Sequence, residues 1–311
     1  MSTHHTGTSA PAARLSSSRA GLWWGLLGVV AFSFTVIFTR VAVGGLSPLF
    51  VGAARAVIAA LLAAIALALT KQRLPTGCQW ARLAIVAGGI VIGFPLLITY
   101  VLTAASASHG AVVIALLPAA TAVTAAIRGK ERAASSFWVM AAVGAVAAVV
   151  FTMLHGGGFG RLEWSDLLLF GAVVAAAIGY AEGGMLAREL GAWQTVSWAL
   201  VLAVPLMTVL AVVPMADQLP SATPTQWAAL GYLAVVSMFL GFFAWYRGLA
   251  IGPIAQVSQV QLIQPVLSIL WAALFLGEEV TWSTIVGGAV VIICAGAAVR
   301  IRQDRKEIRP D

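Results

Sequence analysis

Charge is what this chain of 311 residues has least of: 9% of it is Asp, Glu, Lys or Arg, against 61% hydrophobic residues. A soluble domain holds about 25% charged residues and needs them to cover its outside, so a water-soluble fold is excluded. The shortage is deepest for acids, 11 against 18 basic residues. The resulting net charge of +7 does not indicate a nucleic-acid partner, because the basic residues sit in short loops and the tail instead of forming a clustered face with aromatics between. Cysteine is limited to Cys78 and Cys294; without Cys-x-x-Cys spacing the pair signals neither a metal site nor a disulfide framework and reads as packing. Only His109 and His155 lie beyond the amino-terminal tail. There is no His-Glu-x-x-His, no Gly-x-Ser-x-Gly and no pair of intramembrane aspartates, which argues against an intramembrane enzyme. Gly156-Gly-Gly-Phe-Gly160 lacks the lysine of a phosphate loop, so no ATP hydrolysis is expected. No ring of charges suggests an ion-selective channel, and no metal or cofactor is implied.

What the chain does have is block after block of about 20 apolar residues, the length that crosses a hydrocarbon core. Blocks this long and continuous are helices, not alternating barrel strands. They predict an all-α polytopic membrane protein with ten transmembrane helices near 20–43, 48–70, 79–103, 107–127, 135–154, 164–186, 192–214, 226–250, 253–276 and 281–300. Residues 1–18 are polar and read as a disordered tail. The block that follows is too long for a cleaved signal. With ten spans, nearly all Lys and Arg fall on one side: Lys71, Arg73, Arg82, Arg128, Lys130, Arg132, Arg188, Arg247 and both tails, with Arg161 alone opposite. Basic loops are retained in the cytoplasm, so both termini are expected there. The setting is a bacterial inner (plasma) membrane, with the bilayer and a small-molecule solute as partners.

The chain also repeats itself. Pro118 precedes Glu131 by 13 residues, and Pro265 precedes Glu278 by the same interval; each pair is followed by another apolar span. Two five-helix copies follow, and an odd helix count forces them into opposite orientations, the logic of inverted-repeat carriers with a site near mid-bilayer. The stretch Trp24-Gly-Leu-Leu-Gly-Val-Val-Ala-Phe-Ser-Phe-Thr35, then Gly44-Gly-Leu-Ser-Pro48 and Ala53-Ala-Arg55, resembles the opening of an EamA domain of the drug/metabolite transporter superfamily. Trp245-Tyr-Arg-Gly-Leu-Ala250, Gln264-Pro265 and Leu276-Gly-Glu278 before Gly287-Gly288 are similar to that family's closing segment. Gly129-Lys130-Glu131 stands where the family usually has Gly-Glu. The resemblance implies repeats at 19–154 and 163–301, with a basic cytoplasmic tail over 302–311. Within the superfamily the chain looks most like YddG-type exporters. That likeness implies a ten-helix basket around a central cavity and export of amino acids, aromatic or other neutral ones. Nucleosides and cationic compounds are the alternative solutes.

Pro118 and Pro265 each remove a helical hydrogen bond, and their symmetric placement makes them candidate hinges, with a static bend as the other reading. Pro95 beside Gly93 has no proline counterpart in the eighth span. The ninth span carries Gln256, Gln259, Gln261 and Gln264, too polar a run to face lipid. Gln256, Gln261 and Gln264 share one arc of the helix and are candidates to line the cavity, Gln264 foremost, against the alternative of hydrogen bonding between helices. Aromatics at mid-depth, Phe34, Phe94, Tyr180, Phe239, Phe242, Phe243 and Trp245, suit a pocket for an apolar solute; all but Phe242 are taken as cavity candidates, and packing is the alternative for each. Trp23, Trp138, Trp164, Trp193, Trp227 and Trp282 read as the interfacial belt. Glu182 is the one acid placed inside a span, a candidate for proton coupling, though an inner-end arginine is within its reach. Arg40 and Arg55 read as snorkelling, or as pairing with Glu278, Glu279 or Asp217, with a substrate carboxylate as the alternative. His109 reads as a polar cap. So few buried ionisable groups point to a neutral or zwitterionic solute and against a sodium site.

Overall fold

The computed structural model describes residues 11–128, 135–155, 164–217, 220–251, 257 and 260–308, and every regular element among them is helical. The first half comprises α1 (Pro11–Ser33), α2 (Thr35–Ala42), α3 (Pro48–Leu69), α4 (Gly77–Val86), α5 (Phe94–Ala104), α6 (Ala107–Ile114), α7 (Leu117–Arg128) and α8 (Ser135–His155). The second comprises α9 (Trp164–Leu190), α10 (Ala192–Asp217), α11 (Pro224–Tyr232), α12 (Phe242–Ile251), α13 (Gln264–Leu276) and α14 (Trp282–Ile308). Stacked end to end, these form seven helices long and apolar enough to cross a membrane, at 19–42, 48–69, 77–104, 107–128, 164–190, 192–216 and 224–251. Three apolar helices, Ser135–Phe151, Gln261–Leu276 and Trp282–Ala297, are shorter. The outer surface is apolar: Leu69, Leu274 and Phe275 are among the exposed side chains. A patchwork of that extent does not survive in water and is the natural face toward lipid. Two tails differ from expectation. Helix α1 begins at Pro11, because proline suits a first helical position and Ala12, Ala13 and Leu15 are good helix formers; α14 likewise continues through 302–308. Residues 1–10, Gly129-Lys130-Glu131, Gly156–Gly160, Arg161, Gln256 and Gln259 lie outside the described residues.

Five of these apolar stretches are irregular within the described residues, and each irregularity has a local cause. In the first span the helix breaks at Phe34, between α1 and α2. Pro118 cannot donate to the carbonyl four residues back, and the chain tightens before it, with Ala115 and Leu116 N–H donating to the carbonyls of Val112 and Val113, three residues back. Pro265 acts alike: it opens α13 directly after a 3-10 turn at Gln261–Ile263. The third and eighth spans instead contain π-helical segments, Ala87–Gly93 and Leu233–Gly241, each closed by a Gly-Phe pair, Gly93-Phe94 and Gly241-Phe242. Each of these spans also opens on the same capping signature, Thr76…Gln79-Trp80 and Thr223…Gln226-Trp227. In both, the threonine N–H donates to the glutamine Oε1 at 2.8 Å. Pro95 itself has no proline counterpart, but 224–251 carries a π segment at the related place, where 77–104 has a π segment and a proline.

The halves pack element on matching element. Helix α3 lies on α10, α6 on α13 and α8 on α14, while α1 crosses α12 and α9 crosses α5 and the π segment before it. Glycine makes the closest crossings. A Cβ on Gly248 would sit 2.7 Å from the backbone nitrogen of Gly25, and one on Gly28 would sit 2.9 Å from that of Trp245. Small residues of this kind allow the backbone contact on which helix association in lipid depends. The Leu276-Gly-Glu278 motif has a structural role as well. Gly277 ends α13 in the left-handed region (φ 65°), turning Glu278 onto the start of α6. There its carboxylate accepts from Ala107 N–H (2.8 Å), Ser108 N–H (2.9 Å) and Ser108 Oγ (2.7 Å), a charged cap on the helix's positive end.

Two outcomes follow for melting of the purified protein in detergent. Gly248→Ala forces the α1–α12 crossing apart and lowers stability by about 1–3 kcal/mol, whereas Gly231→Ala, whose added Cβ meets open space, leaves it unchanged. Glu278→Ala removes three hydrogen bonds to a carboxylate and lowers stability by about 1–3 kcal/mol; an unchanged melt would show the cap to be idle.

Candidate functional site

All five irregularities meet at one internal cavity of about 30 Å³. Its wall takes Phe32 and Thr35 from either side of the first break, Ile90 and Phe94 from the first π segment and its exit, and Ile114 and Leu117 from the break before Pro118. From the second half it takes Ser237, Met238 and Phe242 at the second π segment, Gln264 beside Pro265, and Ala176 and Tyr180 from α9. Arg55 of α3 completes it. Non-helical backbone at membrane depth persists where it is buried in protein or lines a cavity, and the freed groups here find side-chain partners. Tyr232 Oη donates to the Ala31 carbonyl (3.1 Å), Ser268 Oγ to the Ser33 carbonyl (2.8 Å), and Trp271 Nε1 to Ser33 Oγ (3.0 Å). Thr35 and Ser237 hydroxyls share a hydrogen bond of 2.8 Å across the two halves.

The cavity is small. One water needs about 10–15 Å³ measured this way, so it holds a few waters at most, and an organic solute enters only once its walls separate. Three groups in or beside the wall keep unused polar atoms. Arg55 is 2% exposed, and its Nε and Nη1 make no hydrogen bond; Gln264 Oε1 and Gln261 Nε2 are likewise buried without partners.

Of the residues singled out from sequence, Phe94, Tyr180 and Gln264 line the cavity. Trp245 is buried in a tilted contact with Tyr180 at 6.4 Å, and its indole Nε1 makes no hydrogen bond. Gln261 is buried in the turn leading to Gln264. Phe34 stacks on Trp271 (4.7 Å, 11°) within an aromatic cluster of Phe38, Tyr232 and Phe275. Phe243 packs edge-on against Trp24 (5.6 Å), and Phe239 lies partly buried against the core. Phe242, rather than these two, reaches the wall, because successive residues of one helix point about 100° apart.

The largest departure concerns Arg55. It neither snorkels nor pairs with Glu278, whose carboxylate caps α6, but stands in the cavity wall. Position along the span gives depth, while only packing gives the direction faced. Arg40 is the arginine that finds an outer partner, donating through Nη1 to the terminal carbonyls Leu102 (2.6 Å) and Thr103 (3.0 Å) of α5. Glu182 is buried next to the cavity-lining Tyr180 and is gripped by two arginines, Arg82 and Arg128, the latter at 3.0 Å; Arg82 also reaches Glu189. A second acid is buried that the sequence reading did not place inside: Asp166, whose Oδ1 meets His109 Nε2 at 2.9 Å, so His109 does more than cap. These contacts hold α9 to the first half above and below the cavity.

Comparison with known proteins agrees with this architecture. The family described as EamA-like transporters matches residues 19–154 and again 163–299. An "uncharacterized transporter", YdeK of Bacillus subtilis (strain 168), is 41% identical over 284 residues, covering 89% of this chain and 96% of that protein. A solved crystal structure superposes with a TM-score of 0.64 over 93% of this chain and 99% of its own at 18% identity, a likeness that bears on the fold alone. With two copies of its domain filling nearly the whole chain, the protein belongs to the EamA-like transporter family, a multi-pass membrane family of the drug/metabolite transporter superfamily.

Proposed function

We propose that this transporter is a secondary carrier that exports small organic solutes, amino acids with aromatic or other neutral side chains foremost, by alternating access through the central cavity. The single observation that carries the reading is the convergence of all five helix irregularities on one cavity at the interface of the two halves. A static bundle has no need to break matching helices at matching depth, whereas a carrier bends there. Pro118 and Pro265 are the hinges in this reading. Phe94, Tyr180, Phe242 and Gln264 form the solute wall, and Phe34, Phe239, Phe243, Trp245 and Gln261 form the layer that supports or joins it as the wall opens.

The topology we assign has ten spans, the seven long helices plus the three shorter apolar ones. Repeats at 19–154 and 163–301 run in opposite directions, and both termini are cytoplasmic, in a bacterial inner membrane. The placement of Lys and Arg supports that orientation. Glu182 is the coupling candidate: buried and clamped by Arg82 and Arg128, it would release both arginines on taking up a proton.

Counterflow in liposomes holding only the purified protein tests the carrier reading with amino acids and, separately, nucleosides and cationic drugs. The expected result is saturable amino-acid exchange that falls at least tenfold in Pro265→Ala with the protein still folded. Ion conductance without exchange would replace the carrier with a channel, and exchange confined to nucleosides or cations would replace the substrate class. In the same liposomes under imposed pH gradients, Glu182→Gln is expected to abolish gradient-driven accumulation while sparing exchange. Accumulation that still follows the gradient would leave Glu182 as an ion-pair partner only.

A further inference from the structure

Among the described residues, Arg55 is the one charged side chain in the cavity wall. It is 2% exposed, and no ion pair among the described residues engages it. Its Nε and Nη1 are donors with nothing to donate to. A guanidinium stripped of water and left without an anion is among the most unfavourable groups a fold can bury. The other cavity-facing group in deficit is complementary to it in sign: Gln264 Oε1 is an acceptor without a donor. The two do not satisfy each other, although they line the same space. Around them the wall is apolar and aromatic, with Phe32, Phe94, Tyr180 and Phe242, and among the described residues it contains no carboxylate.

We infer that Arg55 is the anchor for a carboxylate on the transported solute and Gln264 the acceptor for an ammonium or hydroxyl beside it, so that the substrate class is small organic acids with an apolar body. This rests on the carrier reading above and narrows it. Arginine's planar fork matches a carboxylate with two parallel hydrogen bonds, whereas a bare amine meets a like charge at Arg55 and no acid to balance it. The cavity thus reads the carboxylate first and the amino group second. An α-amino acid meets both requirements, a deaminated acid meets the stronger one, and an amine without its carboxylate meets only the weaker one, against a like charge at Arg55.

Three probes of one skeleton separate these demands: L-phenylalanine, 3-phenylpropanoate and 2-phenylethylamine. With wild-type protein in liposomes exchanging labelled L-phenylalanine, unlabelled phenylalanine and phenylpropanoate compete and phenylethylamine does not. The same order holds in the shift of the protein's melting temperature on adding each probe, a readout that needs no variant. Arg55→Gln and Arg55→Lys weaken phenylalanine and phenylpropanoate by about 10- to 100-fold, the worth of a charge-assisted hydrogen bond. Gln264→Leu weakens phenylalanine more than phenylpropanoate. Phenylethylamine competing as well as the two acids in the wild type overturns the assignment while leaving the carrier intact, as does unchanged competition in a folded Arg55→Gln protein. Failure of the wild type to exchange any probe or any other solute overturns the carrier reading and this assignment with it.

Discussion

In a hydrocarbon solvent every backbone N–H and C=O must find its partner inside the protein, and the rest of this structure is arranged around that requirement. An unbroken helix meets it alone, which is why most of the chain is long, featureless and apolar. Where a helix is broken, something else must come to the loose carbonyls. Tyr232 and Ser268 do so at the first break, and Trp271 donates to the Ser33 hydroxyl beside them, each from a helix of the opposite half. Breaks therefore cluster where the halves meet, since only there are polar side chains in reach. An apolar cavity with a few polar groups in its wall lies at that cluster.

The same constraint explains how the ends are held. The polar contacts that bind the halves above and below the cavity join charged or capping groups: Glu278 on the start of α6, His109 with Asp166, and Glu182 between Arg82 and Arg128. Near the middle the halves meet through neutral hydroxyls, glycines and aromatic rings, contacts that are individually weak. A bundle fastened firmly at both ends and loosely between is suited to opening at one end at a time, with the breaks before Pro118 and Pro265 taking up the change in angle.

Much of this was legible in the sequence because the responsible residues are few and distinctive. Helix positions followed from apolar length, and the equal spacing from Pro118 to Glu131 and from Pro265 to Glu278 disclosed both the duplication and the two proline breaks. The π segments were not legible, since Ala87–Gly93 and Leu233–Gly241 hold no proline and read as ordinary apolar helix. Their shared flanks, the Thr-x-x-Gln-Trp start and the Gly-Phe exit, were the available signal. Among the aromatics, depth was readable but facing was not, so Phe242 emerged in place of its neighbours Phe239 and Phe243. Arg55 was misplaced for a related reason. Hydropathy treats an arginine near a span's end as anchored in the interface, and only the packing of α3 on α10 and α5 turns it inward.

The central claim is that the central cavity is the transport route and opens to each side in turn. Ser237 lines it from the second π segment, and a cysteine there, in a chain without Cys78 and Cys294, differs from serine by one atom. The most direct measurement is the reactivity of that cysteine toward a membrane-impermeant thiol reagent, applied to oriented vesicles from either face. Labelling from both faces, slowed by a transported solute, is the predicted result. Labelling from one face only, or from neither, would contradict it.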